Sequence, residues 1–228
     1  MKGLGIAAKW LFILALPPLL VSATIAFEFN GLWLYKDGFQ KYAVSQTTGL
    51  AKVELETAAE GLINYFNSDE EYISLTVEKD GEPFELFNQR EIAHLKDVKG
   101  LFWLDYWVLL GTLIYTLSYA GVSLWWRRNK YWRRLAWGTV GGSGITLALM
   151  LALGIGTLLG FDQLFLQFHL ISFTNEFWST EGYMLLLFPR DFWYDTTIFC
   201  GGITAGLAVI LGAVAGGCLL FTRKGANP

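Results

Sequence analysis

Four long apolar runs dominate this sequence and limit the folds that it can adopt. They cover residues 10–27, 101–126, 135–161 and 196–221. A helix needs about 20 apolar residues to cross the hydrocarbon core of a bilayer, and each run approaches or exceeds that length. Only 16% of the 228 residues are charged, against about a quarter in a soluble domain. The sequence therefore predicts a mainly α, polytopic membrane protein with four transmembrane helices.

Lysine and arginine residues lie next to the ends of these runs, and they predict the topology. The flanking basic residues are Lys2, Lys9, Arg127, Arg128, Lys130, Arg133, Arg134, Arg223 and Lys224. Basic residues beside spans stay on the cytoplasmic side. We therefore expect cytoplasmic termini, a basic cytoplasmic loop at 127–134 and a cytoplasmic tail at 222–228. Topology also explains the basic residues without nucleic-acid binding.

Residues 28–100 are too many for a simple outer loop, and they predict a small α+β extracytoplasmic domain. Within them, residues 48–67 have the spacing of an amphipathic helix. Residues 71–77 alternate like a strand, and residues 84–87 provide a returning strand after a turn at 79–83. We therefore expect one helix and one β-hairpin in this domain.

Two further patterns concern the segments beside the spans. Asn88 followed by Glu91 matches a capping box, so we expect a helix to begin there and to continue into the second span. Residues 162–195 are too polar for a span and too apolar for a solvated loop. They predict an interfacial or re-entrant segment on the outer side.

His94, one of only two histidines, lies in the charged stretch just before the second span. On a helix, Arg90 lies one turn before it and Asp97 one turn after it, on the same face. Asp97 could hold one imidazole nitrogen and leave the other to act as a general base. The alternative interpretation is a surface histidine in a solvated, charged turn.

His169, the second histidine, is surrounded in sequence by apolar and aromatic residues. Ionisable groups at membrane depth usually face a cavity or a partner, although a core histidine with a satisfied hydrogen bond is the alternative. Asn175 could donate its amide to a developing oxyanion or cap a turn. Neither a nucleophile-elbow motif nor a zinc motif accompanies the histidines. The sequence therefore predicts no cofactor and no metal.

Three motifs resemble those of the bacterial lipoprotein intramolecular transacylase family. They are Arg90-Glu91-Ile92-x-His94-x-x-Asp97-Val98-Lys99, then Phe168-His169-Leu170-Ile171-Ser172-Phe173-Thr174-Asn175, and finally Phe188-Pro189 with Asp195. The resemblance covers nearly the whole chain. The sequence departs from the family pattern at Glu176, at Arg190 and in a shortened linker over residues 179–182.

The resemblance implies a reaction on the extracytoplasmic side of the cell membrane, at the interface between membrane and water. The family moves the sn-2 acyl chain of a lipoprotein's S-diacylglyceryl group to the α-amine of its N-terminal cysteine. It implies His94 and His169 as the catalytic residues, and a diacylated lipoprotein and membrane lipid as the partners. The alternatives are another membrane-lipid acyl hydrolase or transferase, or a non-enzymatic membrane protein with a partner-binding outer domain. The sequence gives neither the oligomeric state nor the acyl-chain preference.

Overall fold

Long helices form most of the computed structural model, which describes residues 2–125, 131–179 and 181–224. The four long helices are α1 (Lys2–Phe29), α5 (Gln89–Trp125), α6 (Trp132–Ser172) and α8 (Arg190–Lys224). Within the described ranges, these four are long and apolar enough to cross a membrane, as the four runs predict. The predicted basic loop and the predicted tail lie partly outside the described residues.

Each long helix extends beyond its apolar run, because polar residues continue the backbone hydrogen bonding past the apolar stretch. Helix α5 runs unbroken from Gln89, so the predicted continuation into the second span is correct. Helix α6 is interrupted at Gly160 (φ −170°, ψ 60°) and then continues to Ser172. The first part of the predicted interfacial segment is therefore helical. After it come a 3₁₀ turn (Phe177–Ser179), α7 (Tyr183–Leu187) and the start of α8 at Arg190.

Strands β1 (Thr76–Lys79) and β2 (Glu82–Glu85) form the predicted hairpin. Both strands lie closer to the turn than we predicted. The reason is the two-residue turn at Asp80 and Gly81, whose φ angles of 55° and 83° are both positive. Such a turn lets the strands pair up to its edge, so Lys79 is opposite Glu82.

The segment between α1 and the hairpin contains three helices: α2 (Leu32–Lys41), α3 (Val44–Thr48) and α4 (Lys52–Phe66). The predicted helix over 48–67 therefore begins too early, and α2 and α3 were not predicted. Gly49 has a φ of 73° and ends α3 in the left-handed conformation. This turn separates α3 from α4, because the left-handed conformation cannot continue a helix.

The described chain divides into two compact units, and the first consists of parts of the four long helices. It includes residues within 1–25, 105–155 and 199–228. Gly142 allows close helix packing there, because a Cβ at this position would lie 2.9 Å from the carbonyl oxygen of Ile13. The Tyr115 hydroxyl donates to the carbonyl of Ala8 at 2.7 Å. This unit is therefore held by small residues and polar contacts between helices.

The second unit covers residues 26–104 and 156–198, and it includes both histidines. Its hydrophobic core combines side chains from α2, α4, the hairpin, α7 and the start of α8. The fully buried or nearly buried members include Val44, Leu50, Ala58, Leu62, Leu86, Leu187 and Phe192. A Cβ at Gly38 would lie 2.5 Å from the Phe192 ring, so α2 packs directly against that residue.

Candidate active site

The first turn of α5 is fixed by a complete capping box. The Asn88 side-chain oxygen accepts the backbone N–H groups of Arg90 (3.0 Å) and Glu91 (3.1 Å). In return, the Glu91 carboxylate accepts the backbone N–H of Asn88 at 2.9 Å. These bonds satisfy N–H groups that a helix start leaves without partners. They also fix the residue at which α5 begins, and therefore the face of α5 on which His94 lies, one turn later.

Glu91 also connects α5 to α7. Its second carboxylate oxygen accepts the backbone N–H of Met184 at 2.7 Å, and the side chain is 1% exposed. The backbone of Gly182 approaches so closely that a Cβ there would lie 2.2 Å from this oxygen. One buried carboxylate thus holds two helix starts, and a side chain at residue 182 would displace it.

A lysine of the hairpin holds α7 from another direction. The Lys79 ammonium donates to the Tyr183 hydroxyl at 2.5 Å and to the carbonyl of Thr48 at 3.1 Å. The hydrogen bond to Tyr183 raises the pKa of Lys79, so this side chain stays charged at neutral pH. Helix α7 is therefore attached to both the hairpin and α5.

The structure brings His94 and His169 together, although 74 residues separate them in the sequence. Their ring centroids lie 6.2 Å apart and the ring planes differ by 25°. His94 is 4% exposed and His169 is 7% exposed. Two positive charges this close in a buried place would repel each other strongly. The geometry therefore suits a pair in which at most one imidazole is protonated at a time.

The hydrogen bonds of the two rings differ. His169 Nδ1 lies 2.8 Å from the carbonyl oxygen of Phe165. A carbonyl can only accept, so Nδ1 carries the proton and the neutral ring has its lone pair on Nε2. His94 Nδ1 is buried and has no hydrogen-bond partner among the described residues. A buried polar atom of this kind requires an explanation, and a bound substrate group would provide one.

Asp97 and Asn175 contact each other rather than the histidines. The Asn175 amide donates to the Asp97 carboxylate at 2.8 Å, and its oxygen accepts the backbone N–H of Phe177 at 3.0 Å. Within the described ranges, Asp97 makes no hydrogen bond to His94, so the predicted carboxylate-held imidazole is not observed. Asn175 both caps a turn and binds Asp97. The Arg90 side chain is exposed and has no hydrogen bond or ion pair in the described part of the chain.

Aromatic rings surround His169, as its local sequence predicts, and Trp178 is the one among them that the sequence analysis did not identify. Their centroids lie at 4.2 Å (Phe165), 4.8 Å (Trp178), 5.3 Å (Phe168) and 5.5 Å (Phe173) from the His169 centroid. Phe173 also meets the His94 ring edge to face at 4.7 Å. The contact of Phe165, four residues before His169, could be expected from helical spacing. Trp178 could not, because its position depends on the irregular chain after α6.

The fold defines a multi-pass membrane protein, and the imidazole pair provides groups of the kind that acid–base catalysis uses. No group of three or more potential metal ligands occurs among the described residues. A family model described as lipoprotein intramolecular transacylase Lit matches residues 10–193. This match covers most of the chain, which therefore belongs to the Lit family and is a membrane-integral acyltransferase of lipoprotein processing.

Solved structures of Lit from Bacillus cereus share this fold. One matches with a TM-score of 0.84 and 17% identity, covering 98% of this chain and 100% of that chain. Variants in which a histidine of that protein is replaced by arginine or alanine match with TM-scores of 0.78 and 0.75, both at 16% identity. These matches cover 98% of this chain and 96% and 97% of those chains. A comparison with curated proteins finds no match.

Proposed function

We propose that this chain converts diacylated lipoproteins to the lyso form by intramolecular acyl transfer. In this reaction the sn-2 acyl chain of the S-diacylglyceryl group moves to the α-amine of the N-terminal cysteine. His94 and His169 exchange the protons, and neither is acylated. The observation that carries the proposal is the buried imidazole pair, in a chain whose family is named for intramolecular transacylation of lipoproteins.

His169 is assigned as the base. Its Nδ1–H is held by the Phe165 carbonyl, so Nε2 is free to take a proton from the substrate's α-ammonium. The resulting amine attacks the ester carbonyl carbon, and a tetrahedral oxyanion forms. His169 then releases its proton to water, and the attacking nitrogen, which became positively charged on attack, gives a second proton to His94, whose ring has a buried atom available to a ligand. His94 passes this proton to the glycerol oxygen as the carbon–oxygen bond breaks, so at most one imidazole is charged at a time.

The transfer needs no enzyme nucleophile, because amine and ester belong to the same substrate. An amide is more stable than an ester, so the reaction is favourable once the amine is deprotonated. The main tasks of the site are then to hold amine and ester together and to move protons. Asp97 and Asn175, bonded to each other, fix the chain after α6 against α5 and thereby orient the two histidine-bearing helices. Arg90, whose side chain is exposed on α5, is assigned as a further orienting residue for the substrate.

We further propose that the site faces the extracytoplasmic side and that both termini are cytoplasmic. The basic residues beside the spans support this orientation. Residues 26–104 and 156–198, which form one compact unit, correspond closely to the two segments that would then lie outside. A lipoprotein anchored in the outer leaflet would meet the site there. Reporter fusions at the C-terminus and in the hairpin turn would test this topology, and a cytoplasmic hairpin would refute it.

The test of the reaction is expression in a strain whose lipoproteins are diacylated, followed by mass spectrometry of their N-terminal lipopeptides. Substrate and product are isomers, so their intact masses are equal and fragmentation must locate the acyl chain. We expect fragments with an N-acyl cysteine and a monoacyl glyceryl group. An N-acylated α-amine no longer reacts with an amine-reactive reagent, and this loss of reactivity gives a second readout.

Variants and labels separate the alternatives. His94→Ala and His169→Ala should each reduce N-acylation at least 100-fold, in line with the loss of a general acid or base. Release of free fatty acid would instead indicate a hydrolase. Acyl chains exchanged between two isotopically labelled lipoproteins would indicate intermolecular transfer. Unchanged diacyl lipoproteins in cells with the wild-type chain would refute the proposed function.

A further inference from the structure

The charge that would form on His169 during the proposed reaction has no anionic partner in the described part of the chain. The only hydrogen bond of His169 there goes to the Phe165 carbonyl. From α5 the titratable neighbour is His94, with ring centroids 6.2 Å apart. The carboxylate of Asp97 on α5 is bonded to Asn175, and Glu176 on the chain after α6 is exposed. Something else must stabilise an imidazolium at this place.

Aromatic rings are groups that can stabilise a cation. The face of an aromatic ring attracts a cation within about 6 Å of its centroid, and tryptophan does so most strongly. The Trp178 ring lies 4.8 Å from the His169 ring with the planes tilted by 40°. Phe165 and Phe168 are on the same helix as His169, whereas Trp178 comes from the 3₁₀ turn that follows α6. Trp178 is thus the strongest such ring, and one that a separate segment brings to the histidine.

We propose that Trp178 is a positioning residue for His169: its indole holds the imidazole in place and stabilises the imidazolium during acyl transfer. This inference rests on the proposed function. The step concerned moves one proton from the substrate's α-ammonium to His169 Nε2, so that one N–H bond breaks and another forms. Without the indole, the same transfer would leave a less stable cation in a buried place.

The test compares Trp178→Leu, which removes the aromatic ring, with Trp178→Phe, which keeps a smaller one. Trp107→Leu is the matched control, because Trp107 is 65% exposed and lies outside the unit that contains the histidines. The full chain is prepared without a polyhistidine tag, in lipid nanodiscs, with ¹³C-labelled histidine. The chain has two histidines, so the spectrum contains two imidazole signals, and His94→Gln assigns them.

We expect Trp178→Leu to lower the titration midpoint of His169 by about half to one pH unit. Trp178→Phe should retain most of the wild-type midpoint, and Trp107→Leu all of it. The acidic limb of the transfer rate should move to lower pH in parallel with the midpoint, while the maximal rate falls several-fold. The apparent KM for a diacylated lipopeptide should change little, because the indole acts on the histidine.

Other results would overturn the inference. A higher midpoint in Trp178→Leu would mean that the indole merely excludes water, since hydration favours the charged ring. An unchanged midpoint, or an equal fall in the leucine and phenylalanine variants, would mean that the ring face has no electrostatic role. The titration needs no turnover. A normal midpoint shift together with no N-acylation by the wild type would therefore refute the proposed function and not the interaction.

Discussion

The contact between Gly182 and Glu91 gives the most direct test of the structure, because the Glu91 carboxylate occupies the space that a side chain at residue 182 would need. A Cβ on residue 182 would lie 2.2 Å from the nearer Glu91 oxygen, and ordinary contact begins at 3.4 Å. In Gly182→Ala the carboxylate must therefore retreat by about 1 Å. The bond to the Met184 N–H, now 2.7 Å, would lengthen to about 3.7 Å, beyond hydrogen-bond range.

The expected cost follows from the loss of that bond. A buried N–H left without an acceptor costs about 1–3 kcal/mol. A loss of about 2 kcal/mol corresponds to a fall of about 4–8 °C in melting temperature for a protein of this size. Glu91→Ala should cost more, about 2–4 kcal/mol, because it also removes the acceptor of the Asn88 N–H. The midpoints can be measured by tryptophan fluorescence in nanodiscs at one fixed heating rate, because unfolding of such proteins is often irreversible.

The double variant tests whether the two effects have the same cause. Once Glu91 is alanine, the space next to residue 182 is open, so Gly182→Ala should add almost nothing to the loss. Gly81→Ala is a poor control because Gly81 has a positive φ. Gly100→Ala is suitable, since a Cβ there would meet nothing within 4 Å. Additive losses in the double variant, or a wild-type midpoint for Gly182→Ala alone, would refute this reasoning.

Three further predictions concern other contacts. Asn175→Asp should lower both melting temperature and N-acylation, because it sets two carboxylates side by side. Adding Asp97→Asn should restore both, because it reverses the hydrogen bond. If the exchange fails to restore them, the pair does more than join two segments. Gly142→Ala should lower the melting temperature by several degrees, because of its contact with a backbone oxygen of α1, while Gly144→Ala, with open space around it, should not; equal effects would contradict the packing. Hydrogen bonding to a lysine of α5 lowers the pKa of Glu71, so the stability from this pair is present at neutral pH and is lost as the pH falls through the lowered pKa. Glu71→Gln should therefore melt slightly below the wild type at pH 7, and the gap should narrow as the pH is lowered through the range in which Glu71 takes up its proton; a gap that does not change with pH would refute the assignment.

The sequence predicts the parts of this fold that local chemistry decides. The four long helices follow from apolar length alone, which outweighs weaker signals. The hairpin follows from Asp80-Gly81, and the start of α5 follows from Asn88 and Glu91. Helix α2 was missed, although its buried residues Leu34, Tyr35, Gly38 and Phe39 recur at helical spacing. The packing of α2 against Phe192, which is 154 residues later than Gly38, could not be predicted from that spacing.

In the candidate site, too, local sequence predicts some features and tertiary packing decides the others. Both histidines could be identified as unusual from their local sequence, and the structure places them together. The partner of Asp97 could not be predicted, because Asn175 and His94 are both plausible and only the path of the chain after α6 decides between them. Trp178 was missed for the same reason. Contacts made by irregular segments depend on tertiary packing, and helical spacing gives no information about them.

The hydrogen bond from His169 to the carbonyl of Phe165 has a genetic consequence. Its acceptor is a main-chain atom, which every amino acid carries, so no replacement of the side chain at residue 165 deletes it. Substitutions at neighbouring residues therefore do not change which nitrogen of His169 is protonated, as long as α6 remains helical there. Alanine scanning would overlook this contact altogether. Exchanging the amide between residues 165 and 166 for an ester, which weakens the carbonyl as an acceptor, would address it directly.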